Sequence, residues 1–269
     1  MSFFTRIELA FRHPDPIFID LEGVEKLTIE AVLLLVSRIQ LRELRRCIGV
    51  RGNEPKDERL RALFAQSGFY RFVTGPPSGY QKEKDLGILR KHEGKQVRED
   101  LCAEMVHYAT GKVLGVTKKN GGLYRTLIEC MANTRDHAAV NNKGRESWWL
   151  SVYYDSDSRV ASFAFLDNGV GVFKSVKMQT FLRQWGHFFG ILSHVDILNE
   201  LMEAKLGSRT GLSYRGKGLP SIRRVLQRQQ IKNLRIVTNR AYLDVGSRTG
   251  KALRQSFRGT CLTWELHNE

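Results

Sequence analysis

An apolar run ends at Asp167, and glycines follow at alternate positions in the stretch Ser162 to Phe173, S-F-A-F-L-D-N-G-V-G-V-F. This predicts a strand that delivers a carboxylate to the rim of a sheet. A tight loop follows, in which Gly169 and Gly171 allow positive φ or close passage of a flat ligand. Upstream, Leu123 to Val140 carries apolar residues at Leu123, Leu127, Ile128, Met131, Ala132 and Ala138, the spacing of an amphipathic helix. On it Glu129, Asn133 and His137 recur every fourth residue and form one polar row along the flank. The amide oxygen of Asn133 suits a hard cation that keeps its waters, and a carboxylate one turn earlier can take a proton from water or a hydroxyl. Downstream, Tyr214 to Leu219 reads Y-R-G-K-G-L before a helical pattern with Pro220 in its first turn. Free N–H groups at such a start, from Gly216, Gly218 and Leu219, can hold phosphate oxygens, with Arg215 and Lys217 to screen them. Gly259 and Thr260 sit in a last strand signal, R-G-T-C-L-T-W-E-L.

Taken in order, E-x-x-x-N, D-x-G-x-G, G-x-G-L and G-T resemble the four boxes of the GHKL ATPase superfamily, the Bergerat (histidine kinase-like) nucleotide fold, over about the last half of the chain. The resemblance implies an ATP site that works with Mg²⁺. Asn133 would be the sole protein ligand of the metal, and Asp167 would accept the adenine amino proton with Thr260 behind it. His137, Gly169, Gly171 and the segment Arg215, Gly216, Lys217, Gly218, Leu219 would surround the nucleotide, with Glu129 as general base. The stretch E-C-M-A-N-T-R-D-H-A is most similar to the version found in anti-sigma-factor kinases, which phosphorylate serine. Asp136 lies where many histidine kinases carry a phosphate-facing lysine, which argues against a histidine-kinase mechanism. Lys174 to Thr210, with Phe181, Trp185, Phe188 and Phe189, matches the interval that forms the lid in relatives.

The first 75 residues read as strand (Phe3 to Phe11), strand (Ile17 to Leu21), helix from Ile29 capped by Thr28, strand (Cys47 to Val50) and helix (Asp57 to Ser67) closed by Gly68. That order predicts a small α/β domain. Its phrasing resembles a STAS domain, and the resemblance puts Thr28 and Ile29 where that family carries a phosphorylatable serine. Residues 76–96 read as a linker, with His92 and Glu93 in a loop, and residues 97–269 as the ATPase-like domain. Val97 to Lys112 has helical spacing, Trp148 to Tyr154 and Arg159 to Asp167 read as a hairpin, and Leu234 to Asn239, Tyr242 to Val245 and Gly259 to Leu266 complete a sheet. The fold class expected is α/β (α+β).

The charge is uneven: Met1 to Gly75 carries 12 basic and 10 acidic residues, whereas Lys205 to the end carries 14 and 3, so most of the formal +15 lies in the last quarter. Such a surface attracts phosphates, nucleic acid or an acidic protein face. The longest apolar run, Ala31 to Val36, is too short to span a bilayer, and no leader pattern opens the chain, so no membrane association and a cytoplasmic location are the expectation. Cys47, Cys102, Cys130 and Cys261 lack metal-ligand spacing and read as buried free thiols. These features together point to an ATP-binding signalling protein with kinase-like or ATPase activity, coupled to a protein partner. Two alternatives stay open: a nucleic-acid-associated regulator that uses ATP as a conformational switch, and a nucleotide-binding scaffold without turnover. The sequence also leaves a homodimer open.

Overall fold

The structure is a computed structural model and describes residues 3–10, 15–46, 49–72, 88–93, 96–137, 147–174, 193–203 and 218–268. It mixes helices and sheets in two compact units, Met1–Leu89 and Arg90–Glu269.

In the first unit, helix α1 (Phe3–Ala10) precedes strand β1 (Ile17–Ile19), helix α2 (Ile29–Arg46), strand β2 (Val50–Gly52) and helix α3 (Glu58–Ser67). The strands pair in parallel, Ile17 opposite Val50, so α2 is the crossover that parallel neighbours require. α3 starts and stops where its local chemistry dictates. Asp57 caps it by accepting from the Leu60 amide at 2.9 Å, and Gly68 ends it in the left-handed region at φ +78°. Val32, Leu33, Leu35 and Val36 of α2 are fully buried, and Phe64 of α3 meets Phe69 edge-on at 4.8 Å between ring centres. Residues 3–10 are helical, not the strand that alternation suggested. Ile7 and Leu9 would share one face of a strand, yet Ile7 is buried and Leu9 is exposed, which is the helical arrangement. The second strand begins at Val50, and Cys47 and Ile48 lie outside the described residues. Ile29 is buried in the first turn of α2, while Thr28 is exposed and its carbonyl accepts from the amides of Ala31 and Val32.

The second unit is built on a five-stranded sheet in the order β3 (Ile88–Glu93), β4 (Ser147–Asp155), β5 (Val160–Asp167), β7 (Thr249–His267), β6 (Lys232–Asp244). β4, β5, β7 and β6 are antiparallel to their neighbours in the sheet. Helices α4 (Glu99–Leu114), α5 (Gly121–His137), α7 (Gly218–Gln227) and α6 (His194–Met202) form a row in which each touches the next. α4 lies on β4, β5 and β7, and α5 reaches β4. Trp148 stacks on Phe165 and Phe163 on Trp264, at 5.5 and 5.3 Å between ring centres. Cys102, Cys130 and Cys261 are free and buried in this unit.

Two expectations need correction here. Residues 76–96 include strand β3, so His92 and Glu93 belong to a strand and not to a loop. Its sequence I-L-R-K-H-E carries too many charges for a central strand, which is what an edge position tolerates. The last strand is far longer than Gly259 to Leu266, because residues 249–252 pair with 241–244 of β6 and not with β5. β6 reverses at Asn239, where φ is +49°: the Val245 amide donates to the Leu234 carbonyl at 2.9 Å, and Arg235 lies 3.7 Å from Asp244. Its two arms, on either side of Asn239, correspond to the separate strands read at Leu234 to Asn239 and Tyr242 to Val245.

Candidate functional site

The carboxylate at the end of β5 is the centre of a buried polar cluster. Asp167 is opposite Thr260 in the β5–β7 ladder and 8% exposed. Its Oδ1 accepts from the Gly169 amide at 2.7 Å. Burial pushes the carboxyl up to about 6, against hydrogen bonds from Gly169 and Thr260 that favour the charged form. A buried acceptor held this way gains most from a ligand N–H donor that stays in place. Gly259 brings β7 this close: its φ is +90°, and a Cβ there would fall on the Asp167 carbonyl oxygen.

Helix α5 brings the second set of groups. Asn133 and Glu129 lie one turn apart on it, both half-buried. The Asn133 amide meets the start of α7, where a Cβ on Gly218 would come within 2.7 Å of Asn133 Oδ1. Glycine at this position is therefore what lets the amide oxygen and the opening turn of α7 share one space, with Leu219 and Pro220 following in that turn. Cys130, between Glu129 and Asn133, is fully buried; burial raises its thiol, and the charges of Glu129 and Asp167 add to the shift. Of the residues singled out in the sequence, Glu129, Asn133, Asp167, Gly169, Gly171, Gly218, Leu219 and Thr260 are described. Asp136 and His137 belong to α5 but their side chains are outside the described set, as are Arg215, Gly216, Lys217 and residues 175–192 and 204–210 of the expected lid; the rest of that interval, Lys174 and residues 193–203, includes helix α6.

The loop after Asp167 is held by residues that motif reading missed. Thr238 Oγ1 accepts from the Val172 amide at 3.0 Å and lies 3.3 Å from Thr260 Oγ1. Asn239 Oδ1 accepts from the Phe173 amide at 3.0 Å, and its Nδ2 donates to the Val170 carbonyl at 2.8 Å. Gly171 packs against this amide with φ +79°, and a Cβ there would come within 2.5 Å of Asn239 Oδ1. Beside Asp167, Asn168 donates its Nδ2 to Ser147 Oγ at 3.0 Å, while its buried Oδ1 has no partner among the described residues. The signal for Thr238 and Asn239 was present, since a polar pair interrupts the apolar pattern of L-R-I-V-T-N. Which loop they hold depends on strand pairing.

The arrangement offers a buried acceptor for a ligand N–H, an amide oxygen for a hard cation, and the opening turn of a helix for an anion. Among the described residues no three His, Cys, Asp or Glu side chains come together as metal ligands, and no helix is long and apolar enough to cross a membrane. No protein-family model matches the chain, and no curated protein matches it.

Proposed function

We propose that the unit spanning residues 90–269 binds ATP with Mg²⁺ in the manner of the GHKL superfamily, and that the protein transmits or transfers phosphate in a signalling role toward a protein partner. The observation that carries this reading is the meeting of Asn133 Oδ1 with the Gly218 start of α7, in the unit that also holds the buried carboxyl of Asp167. These groups fit the two ends of a nucleotide. Asp167 accepts the adenine amino proton, with the Gly169 amide and Thr260 fixing its oxygens; guanine would present a carbonyl there and be rejected. Asn133 holds the cation, which supplies charge neutralisation to the phosphates when bound. The first amides of α7 and its dipole hold phosphate oxygens, with Arg215 and Lys217 beside them in sequence. Glu129, one turn before Asn133, accepts the proton of the attacking water or protein hydroxyl. The N-terminal unit, with its α/β order and its resemblance to STAS domains, would carry the partner-facing role; Ile29 has no hydroxyl to accept phosphate, so a phosphoswitch at that position is not part of the proposal.

The nucleic-acid reading gains little from the arginines of α7 and β6. Arg223 pairs with Glu203 at 3.0 Å and Arg235 lies 3.7 Å from Asp244, which leaves Arg224, Arg228 and Arg240 as the exposed cations of this region without an ion pair among the described residues.

Two substitutions on α5 test the proposal. Asn133→Ala should abolish Mg²⁺-dependent ATP binding. Glu129→Ala should keep affinity within a few-fold while lowering turnover by roughly 10²–10⁴. Equilibrium binding and single-turnover rates decide it. Unchanged Mg²⁺-dependent affinity in Asn133→Ala sinks the site, whereas normal turnover in Glu129→Ala, or none in the wild type, reduces it to a nucleotide switch or scaffold.

A further inference from the structure

The far end of α7 opens onto a second concavity. The last turns of that helix, the connection into β6 and the β6–β7 turn surround a cleft of about 630 Å³. Three cations line it: Arg223 from α7, Lys232 from the start of β6 and Arg248 from the turn. α7 runs for 10 residues between this cleft and the Gly218 end, and at ~1.5 Å per residue that separates the two by roughly 15 Å. The cleft is therefore distinct from the nucleotide site.

The cations are placed by the fold. Glu203, at the end of α6 and 9% exposed at its side chain, binds Arg223 Nη2 at 3.0 Å and Arg248 Nη2 at 2.9 Å through the same oxygen. One carboxylate thereby draws two guanidinium groups from different elements to one wall, where each keeps N–H donors to spare. Lys232 makes no ion pair among the described residues. Its cross-strand neighbour Glu265 is engaged elsewhere, by Asn233 Nδ2 at 2.5 Å and His267 Nε2 at 2.7 Å. Three positive side chains and no carboxylate line the cleft, and counting Glu203, paired with two of them, a formal excess of two positive charges remains.

A helix C-terminus would ordinarily oppose an anion here, because its last carbonyls carry partial negative charge. α7 closes those carbonyls on itself. The Gln230 amide donates to Val225 O at 3.2 Å and the Gln229 amide to Leu226 O at 2.9 Å, with Gln229 left-handed at φ +57°. The carbonyls of Arg224, Val225 and Leu226 thus accept from the chain itself, and Gln227, Gln229 and Asn233 add side-chain amides to the lining.

We propose that this cleft is a binding site for a small phosphorylated molecule carrying at least two negative charges. Guanidinium forks and an ammonium suit phosphate oxygens, and the volume exceeds what a bare phosphate fills, leaving room for the group that bears it. A nucleic-acid backbone is the poorer fit, since the cations converge on one concavity whereas a strand needs them along a track.

The test is calorimetric titration of the full-length protein with inorganic pyrophosphate in the presence of a chelator. Saturable binding is expected, and Lys232→Gln and Arg248→Gln should each weaken it about tenfold or more. The double substitution Arg224→Gln, Arg228→Gln removes two charges near the end of α7 from residues that do not line the cleft and should change affinity less than about twofold. Circular dichroism and melting temperature establish that the variants are folded, and Lys232→Gln, which breaks no ion pair among the described residues, keeps the test open if Arg248→Gln is unstable. The proposal is overturned if pyrophosphate does not bind saturably, if the control weakens it as much as the cleft variants do, or if only Asn133→Ala removes it. A parallel titration with a single-stranded oligonucleotide separates the other source of phosphate: loss of oligonucleotide binding in the cleft variants, without pyrophosphate binding in the wild type, would assign the cleft to a nucleic-acid backbone and refute the small-molecule reading.

Discussion

Replacing Asp167 by Asn should stabilise the free protein at neutral pH while it weakens ATP binding. In the folded chain the Asp167 carboxyl titrates at about 6, against an ordinary 3.8, chiefly because it is buried. The folded state therefore holds this proton more tightly than the unfolded one. The stability it contributes is complete below pH 3.8 and is lost as the pH rises through about 6. The shift of about two units corresponds to ~3 kcal/mol at full ionisation. An asparagine carries no such penalty. Relative to wild type, the variant should gain about 1 kcal/mol from this source at about pH 4.5 and about 3 kcal/mol at about pH 7.5. A pH-independent cost of roughly 1–2 kcal/mol, for burying an amide N–H₂ where an acceptor stood, offsets part of this. The diagnostic is thus the rise of about 2 kcal/mol in the stability difference between those pH values. Urea unfolding followed by tryptophan emission measures it on the right unit, because Trp148, Trp149, Trp185 and Trp264 all lie between residues 90 and 269. In the same variant ATP affinity should fall about ten- to hundredfold, the effect of removing a charged acceptor from a buried contact. A stability difference that is flat or falls with pH would show that Asp167 is not held in the buried state described. Unchanged ATP affinity would remove it from the nucleotide site.

Gly259→Ala should cost more than about 3 kcal/mol or leave the second unit unfolded, since it combines a strained φ with a Cβ placed on the Asp167 carbonyl; tryptophan emission and circular dichroism read this, and a loss under about 1 kcal/mol would mean that β7 does not approach β5 so closely. Gln229→Gly should raise stability by about 0.5–1 kcal/mol, because Gln229 occupies the left-handed position after α7 that glycine takes without steric cost; a lower urea midpoint would show that the side chain contributes more than its backbone strain costs.

Much of the chain was legible because its rules are local. Asp57 and Gly68 mark the ends of α3 through a side-chain cap and a left-handed residue, chemistry complete within a few residues. The apolar spacing of α5 and the run ending at Asp167 likewise define a helix and a strand from side-chain periodicity. Where two periodicities fit one short segment, local rules do not decide: Phe3–Ala10 satisfies both, and the burial of Ile7 with exposure of Leu9 selects helix. Ile88–Glu93 carries no strand pattern of its own and is extended because β4 offers it an edge. The first half of β7 is extended because residues 241–244 fold back and pair with it.

The candidate sites divide in the same way. Residue types at Glu129, Asn133, Asp167 and Thr260 announce their chemistry in the sequence, since an acceptor, an amide and a carboxylate are what they are in any fold. Only the packing of α5 against α7 puts Asn133 beside Gly218, and only the β6–β7 register brings Thr238 and Asn239 under the loop that Asp167 begins. The second cleft was invisible for the same reason. Arg223, Lys232 and Arg248 are separated in sequence by a helix end and a strand reversal, and the carboxylate that draws two of them together comes from another helix. Proximity between distant segments is decided by which faces bury and which strands pair, and those are properties of the assembled unit.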